Sequence, residues 1–383
     1  MNDATRVATV RKWVSDRLSA EVQCSLYRWA RAKDVQHIAV MPDVHLAGDV
    51  CIGTVMATRH LIYPAAVGSD IGCGILAIKL NESADRLSGS REAAKLLSAL
   101  YESVPQNRHR HALDDSRFDD LSDGRGGDSL SHESLEKRVL REGRFQLGTL
   151  GRGNHFLEFQ SDKQDQLWLM IHSGSRAMGQ AITKHHLSRA SSGSRAALDL
   201  RMQVGRNYWN DMEWARRYAQ ANRLAMMQLT LDMLMSRFGI MADHSSIIHT
   251  DHNHVRRESH FGEMLCVHRK GAQQLEEDEL GLVPGSMGTP SYVVAGRADI
   301  TAMSSCSHGA GRQLSRSEAK RKISTDSLAD SMSCVWFDHR KRNALREEAP
   351  DAYKDIRRVM RDQRALVRVV AIHQPLLSFK GMK

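Results

Sequence analysis

Short apolar runs that end in glycine-rich turns recur along the whole chain, and this pattern constrains the fold more than any other feature. It occurs in HIAVMPDVHLAGDVCIGTVMAT (37–58), AAVGSDIGCGILAIKL (65–80) and LGTLGRGNHFLEFQ (147–160), and again in later segments. β-Branched runs between turn residues predict strands, and polar side chains in such turns are a usual place for a site. Because these turns are spread over the chain, we expect one integrated fold rather than separable modules.

Helical periodicity is confined to a few segments. Apolar residues recur every three or four positions up to about Ala32, at 92–104, at 196–236 and in most of the last ~70 residues, which end in a strand, IHQPLLSFKGMK. The polar segment 105–132 is predicted to be a mobile loop or insertion. The helix at 196–236 is predicted to bury a methionine-rich face made of Met202, Met212, Met226 and Met227.

The charge balance favours a polyanionic partner. Among 383 residues, 54 Lys and Arg stand against 45 Asp and Glu, a formal net charge of +9 with neutral histidine. A basic surface suits nucleic acids or nucleotides, although a basic enzyme without such a partner remains open. No run approaches 18 apolar residues, the N-terminus lacks an apolar signal core, and none of the six cysteines forms a C-x-x-C pair. We therefore expect a cytoplasmic protein with free thiols and no membrane association.

Asp70 and Cys73 form a D-x-x-C motif between glycines that allow a tight turn. A thiolate can bridge two metals, and neutral histidine nitrogens complete such a site. Three histidines in separate glycine-rich turns or beside them, His155, His172 and His252, make metal ligation credible. The alternative is a buried, inert cysteine beside a capping aspartate. His249 and His254 also lie close in sequence, and in an extended segment His254 would share a face with His252.

His308 lies in SCSHGAGR, where small residues would let a nucleotide phosphate approach closely. A neutral, oriented imidazole is a competent nucleophile. Arg312, Arg176 and Lys270 supply cations for phosphates. The GxGxxG and GxxxxGK[ST] motifs are absent, so Rossmann and Walker-type phosphate sites are not supported.

Seven motifs in fixed order resemble the RtcB-type RNA-splicing ligases. They are MPDVH, DIGCG, GNHF-x-E, HSGSR, HN, PGSMG and SCSHGAGR, and the terminal FKG resembles the closing Lys-Gly of that family. The match covers roughly residues 37–381. It implies an α+β fold, with mixed sheets around a central metal cleft and helices outside, consistent with the strand–turn pattern. It also implies that residues 1–383 form a single catalytic domain, with the polar segment 105–132 included.

The resemblance also implies a set of site residues. Two manganese ions would be held, one by Asp70, Cys73 and His155, and the other by Cys73, His172 and His252. His308 matches the nucleophile that becomes guanylylated by GTP, and Asp43 and His45 match positions beside it. The positions that resemble guanylate-binding residues are Asn154, Glu158, Ser286, Met287, His308, Gly309, Ala310, Gly311 and Lys380. Phosphates of RNA ends or GTP would be bound by Arg176, Asn253, Lys270 and Arg312.

The implied enzyme joins an RNA 3′-phosphate or 2′,3′-cyclic phosphate end to a 5′-hydroxyl end, in tRNA splicing or RNA repair. The reaction would pass through a histidine–GMP and an RNA–GMP intermediate, with GTP as cosubstrate and two Mn²⁺ as cofactors. Two alternative functions would use the same site residues: that of a two-metal phosphohydrolase or nuclease, and that of an RNA end-capping paralogue. A hydrolase has no need of a guanylylated histidine, so His308 and Lys380 favour the ligase.

Overall fold

The computed structural model describes residues 7–114, 129–188 and 196–381, and they form mixed helices and sheets. The predicted α+β class is therefore confirmed. The strands are β1 (Thr9–Lys12), β2 (Val35–His45), β3 (Ile52–Thr58), β4 (Leu61–Ile62), β5 (Gly74–Ser83), β6 (Phe156–Ser161), β7 (Gln166–Ser173), β8 (Leu198–Asp199), β9 (Ala242–Asp251), β10 (Asn253–His260), β11 (Glu263–Lys270), β12 (Ala272–Gln274), β13 (Leu280–Val283), β14 (Ser291–Gly296), β15 (Ser305–Ser307) and β16 (Val367–Lys380).

The α-helices differ widely in length. They are α1 (Ala20–Ala30), α2 (Ser90–Ser103), α3 (Glu133–Arg138), α4 (Arg144–Gln146), α5 (Arg176–Ser188), α6 (Gln203–Phe238), α7 (Arg316–Lys322), α8 (Thr325–Ser331), α9 (Arg342–Leu345) and α10 (Ile356–Asp362). One helix, α6, has 36 residues, whereas α7 to α10 have seven or fewer. The charged C-terminal region is therefore helical, as predicted, but only in short pieces.

Two larger sheets position the site. The first has the strand order β13-β14-β16-β6-β7-β5-β9, and the second has the order β1-β2-β3-β11-β10. In the first sheet β5, β6 and β7 are antiparallel neighbours, with Gly74 opposite Ser173 and Phe156 opposite His172. Lys380 at the end of β16 is opposite Phe156. The beginnings of β5 and β6 and the ends of β7, β9 and β16 therefore meet at one edge of this sheet.

The long helix α6 packs against the seven-stranded sheet and ends at Gly239, whose φ of 69° is the left-handed conformation that favours glycine at a helix end. Its buried methionines include Met212, Met226 and Met227, as predicted. Met202 is 60% exposed because it precedes the first turn, so the prediction is wrong for this residue. The helix begins at Gln203 rather than at residue 196.

The N-terminal prediction is wrong in part. Residues Thr9–Lys12 form β1, which pairs with β2 in parallel, and only Ala20–Ala30 are α-helical. The predicted helix at 92–104 and the terminal strand are confirmed as α2 and β16. Residues 115–128 of the predicted mobile segment lie outside the described residues. Within the described part of the chain, no helix is both long and apolar enough to cross a membrane.

We predict that Met226→Ala lowers the free energy of unfolding by about 2–5 kcal/mol, because it removes a fully buried side chain from the core between α6 and the sheet. Met235→Ala is the matched control on the same helix, where the side chain is 51% exposed and the change should stay within ~0.5 kcal/mol. Urea unfolding of both variants measures the difference. Equal losses in the two variants would contradict this packing.

Candidate active site

The sheet edge brings together the five residues predicted as metal ligands. They form two groups that share one thiol, Asp70–Cys73–His155 and Cys73–His172–His252, and within each group the ligand atoms lie within 4.8 Å of one another. The Cys73 sulfur lies 3.2 Å from Nε2 of His172 and 3.5 Å from Nε2 of His155. The His155 Nε2 atom also lies 2.9 Å from an Asp70 carboxylate oxygen. A sulfur shared by two groups of candidate ligands is positioned to bridge two metal ions.

The chain can place these ligands only by close backbone approach. Gly72 has a φ of 69°, and a Cβ atom there would lie 2.7 Å from the Arg216 Cα atom of α6. The Asn253 side chain fastens the same loop, since it donates to the Asp70 carbonyl at 3.0 Å and accepts from the Gly271 amide at 2.9 Å. The glycine in D-x-G-C is therefore required for the turn that presents Asp70 and Cys73 together.

Burial controls the protonation of this group. Burial lowers the pKa of His172 and of His252 well below the usual range, and neighbouring histidines lower it further, so both imidazoles are neutral. Burial opposes ionisation of Asp70, but the hydrogen bond and charge of His155 bring the pKa of Asp70 down to about 2. Burial and the charge of Asp70 raise the pKa of the Cys73 thiol well above normal.

These donors fit a metal. Neutral imidazoles, a carboxylate and a thiol that loses its proton to a cation are the usual ligands of transition metals. The Nδ1 atom of His252 is buried without a hydrogen-bond partner among the described residues, which is costly unless another group satisfies it. In the other two histidines Nδ1 contacts a backbone carbonyl oxygen, that of Leu150 for His155 and that of Asn154 for His172. These contacts leave each Nε2 directed at Cys73.

His308 lies beside this group, with its ring centroid 4.7 Å from that of His252. It follows β15, and its Nδ1–H donates to the buried Asp43 carboxylate at 2.6 Å, while its backbone amide donates to the same oxygen at 3.2 Å. Because Nδ1 carries the proton, the Nε2 lone pair is available for nucleophilic attack. Burial lowers the pKa of His45 to about 4, and this histidine lines the same cavity as His308.

A cavity of about 150 Å³ opens in front of His308. All nine residues predicted to bind guanylate line it, and so do Arg312, Arg316 and Tyr353. Burial raises the pKa of Glu158 in its wall to about 7, although the Gln160 amide donates to this carboxylate at 2.7 Å. A carboxyl that is half ionised near neutral pH accepts hydrogen bonds from a ligand more strongly when it is deprotonated.

One buried carboxylate, Glu348, holds the cationic side of the cavity together. Lys380 donates to it at 2.9 Å, Arg312 at 3.1 Å and Tyr353 at 2.5 Å. Burial opposes ionisation of Glu348, but the charges of Lys380 and Arg312 bring its pKa down to about 2. The ionised carboxylate therefore fixes the Lys380 ammonium at the cavity wall.

The four residues predicted to bind phosphate are placed differently from one another. Arg312 lines the cavity, but its guanidinium already donates to Glu348, to Tyr353 and to two backbone carbonyls. The Lys270 ammonium donates to the carbonyls of Ala47 and Val50, and burial lowers its pKa to about 8. Arg176 donates to the Thr149 hydroxyl, and its positive charge helps to lower the pKa of Asp70. The Asn253 amide is used in fastening the metal loop.

Some contacts of the site carry no local sequence signal. The strand is interrupted at His252, and only this histidine of its segment joins the metal groups, since His249 accepts from Arg223 and His254 lies against Asp251. Arg223 of α6 also donates to the carbonyls of Gly72 and Ser173. Neither Arg223 nor Glu348 belongs to a glycine-rich turn, so the sequence analysis missed both.

The α+β fold and the buried Cys/His/Asp groups are those of a metal-dependent enzyme. A family model described as "tRNA-splicing ligase RtcB" matches residues 26–381. The chain is 34% identical to the RNA-splicing ligase RtcB of Escherichia coli K12, over 98% of this chain and 98% of that relative.

More distant relatives give the same result. The chain is 30% identical to the RNA-splicing ligase RtcB of Mycobacterium tuberculosis, over 89% of this chain and 96% of the relative. It is 29% identical to the tRNA-splicing ligase RtcB of Archaeoglobus fulgidus, over 82% and 81%. The chain therefore belongs to the RtcB family of ligases, and the resemblance found in the motifs is confirmed.

We predict that Cys73→Ala loses both metals, because one sulfur is shared by the two groups, whereas His155→Ala loses chiefly one. Metal analysis of variants purified with manganese measures this. Cys266→Ala is the control, since Cys266 is equally buried but lies in the five-stranded sheet and should keep the wild-type metal content. Two metals retained in Cys73→Ala would exclude a bridging thiolate. If Cys73 is purely structural, the same variant loses stability but keeps its metal content.

Proposed function

We propose that this protein is a GTP- and manganese-dependent RNA ligase. It joins an RNA 3′-phosphate or 2′,3′-cyclic phosphate end to a 5′-hydroxyl end, in tRNA splicing or RNA repair, and residues 1–383 act as one catalytic domain. The observation that carries the proposal is the position of His308. Its Nδ1 is paired with a buried aspartate, it lines the predicted guanylate cavity, and it lies beside the metal groups.

The first step transfers GMP to His308. Asp43 holds the Nδ1 proton, so Nε2 attacks the α-phosphorus of GTP, an N–P bond forms and the bond to the pyrophosphate oxygen breaks. When bound, two Mn²⁺ ions held by Asp70, Cys73 and the three histidines supply positive charge to the phosphates. Lys380 faces the same cavity, where its ammonium balances phosphate charge.

The guanine end of the nucleotide is proposed to lie against Glu158 and Phe156. The Lys380 ammonium lies 5.8 Å from the centre of the Phe156 ring, which places cation, ring and carboxylate on one wall. An ionised Glu158 accepts hydrogen bonds from N–H groups of the base. Asn154, Ser286, Met287 and the turn Gly309–Gly311 complete the cavity around the nucleotide.

The later steps act on the RNA ends. A 2′,3′-cyclic phosphate is opened by water to a 3′-phosphate, which takes GMP from His308 as the P–N bond breaks. The 5′-hydroxyl oxygen then attacks the activated phosphorus and GMP leaves. Arg176, Lys270, Asn253 and Arg312 are proposed to hold the phosphates of these ends or of GTP, without reading bases. The reducing cytoplasm is the proposed compartment, since Cys73 must stay out of disulfides to bind metal.

We predict that His308→Ala abolishes covalent labelling by α-labelled GTP in the presence of manganese, because the nucleophile is lost, while the fold and metal content remain. Labelling is read on a denaturing gel. His244→Ala, an exposed histidine at the start of β9, is the control and should label normally. Labelling of His308→Ala at the wild-type level would refute the nucleophile assignment. Phosphate release without any label in the wild type would favour the phosphohydrolase.

We also predict that GTP affinity rises about tenfold from pH 6 to pH 8, because the pKa of Glu158 is about 7 and its ionised carboxylate accepts from the base more strongly than the protonated acid. Calorimetry in the His308→Ala background keeps binding separate from covalent transfer. Glu158→Gln removes the titrating group and should flatten this rise, apart from what the GTP phosphates contribute in both proteins. An equal rise in Glu158→Gln would show that Glu158 does not face the base.

A further inference from the structure

A second cavity, of about 590 Å³, lies outside the active site between α2 and the segment 336–340. Four of its eleven lining residues carry rings: Tyr101 from α2, and Trp336, Phe337 and His339 from the segment that follows α8. Phe337 is buried, whereas Tyr101 and Trp336 are partly exposed and His339 is exposed. Partly exposed aromatic rings in a groove are surfaces on which flat ligands can stack.

The charges of this groove leave a positive surplus. Its two carboxylates are already paired, Asp338 with Arg340 at 2.8 Å and Glu102 with Arg237 of α6 at 2.7 Å. Next to them the Lys341 ammonium lies 4.9 Å from the centre of the Tyr101 ring, and Arg342 follows it in the chain. No salt bridge between residues that the structure describes includes Lys341 or Arg342. The groove therefore presents cations beside aromatic rings.

Two contacts join the groove to β16, whose last residue, Lys380, lines the cavity in front of His308. The Tyr101 ring packs edge-on against Phe379 with centroids 4.9 Å apart, and Phe379 precedes Lys380 of the guanylate cavity. Trp336 exchanges backbone hydrogen bonds of 2.8 Å with Leu376 and Ser378 of β16. At about 3.3 Å per strand residue, this pairing lies roughly 10 Å from Lys380 along β16. A few stacked nucleotides span that distance at about 3.4 Å each.

We propose that this groove binds the single-stranded RNA that adjoins the reacting end. Bases stack on Trp336 and His339, and the backbone phosphates contact Lys341, which lies over the Tyr101 ring, and Arg342. The mixture of stacking rings and unpaired cations is the combination that binds single strands without sequence preference. The inference rests on the proposed RNA-ligase function and adds to it a second contact, so that the protein recognises several nucleotides beyond the reacting phosphate.

The test is RNA binding by a double charge reversal, Lys341→Glu with Arg342→Glu. Fluorescence anisotropy with a labelled 12-nucleotide RNA ending in 3′-phosphate should show that the variant binds at least about tenfold more weakly than the wild type. The slope of log affinity against log salt should shrink by about 1.4, since each lost phosphate contact contributes about 0.7 in a single strand. Arg11→Glu with Lys12→Glu, two exposed cations of β1, is the matched control and should bind like the wild type.

Stacking is tested separately with His339→Ala. It should weaken binding of the 12-nucleotide RNA but leave binding of an abasic strand of the same length unchanged, because only the base contact is lost. An affinity and salt slope equal to those of the wild type in the charge-reversal variant would overturn the proposal. An equal effect of His339→Ala on both strands would overturn the stacking contact.

Covalent GMP labelling and joining keep this inference distinct from the proposed function. The charge-reversal variant should label like the wild type, since the groove is outside the cavity. It should join 12-nucleotide ends more slowly but trinucleotide ends at the wild-type rate. A wild-type protein that neither labels nor joins would refute the ligase function itself. A labelling wild type whose joining rates are unchanged in the variant would refute only the groove.

Discussion

The buried sulfur of Cys73 determines how the rest of the active site is built. It lies one residue before β5, a strand flanked by β7 and β9, and close to Nε2 of both His155 and His172. A thiolate in such a place is unstable unless cations compensate it. The antiparallel order of the sheet brings a candidate ligand from each strand beside β5 close to this one atom, His172 of β7 and His252 after β9. The sheet edge, the tight turn at Gly72 and the interruption at His252 all serve this convergence.

A second buried charge, Glu348, organises the cavity in front of His308 in the same way. It lies in the short helical pieces of the C-terminal region, yet it accepts from Lys380 at the end of β16 and from Arg312 just after the His308 turn. Removing one partner of a buried ionic network leaves charge without compensation, which is more costly than losing an exposed pair. Three distant parts of the chain are therefore held in register around the cavity, with His308 fixed separately by Asp43.

Local pattern predicted much of this arrangement. The strands β2, β3, β5, β6 and β7 were predictable from β-branched runs. Residue types in glycine-rich turns made a metal site credible, but the grouping of Cys73 with the three histidines came from the resemblance to the RtcB family. Long-range contacts were not. β1 pairs with β2 although its sequence is compatible with helix, and Arg223 and Glu348 reach the site from helices whose sequences show only ordinary charge. The helical period predicted that Met202 is buried, but this residue precedes the first turn of α6 and is exposed.

The proposed bridging thiolate is tested directly by anomalous diffraction at the manganese absorption edge, with crystals of the protein grown in manganese. We expect two peaks per molecule, both within bonding distance of the Cys73 sulfur, one beside Asp70 and His155 and the other beside His172 and His252. His308 should face the second peak without binding it as a ligand of the bridged pair. A single peak, or two peaks that do not share the Cys73 sulfur, would contradict a site built around one thiolate.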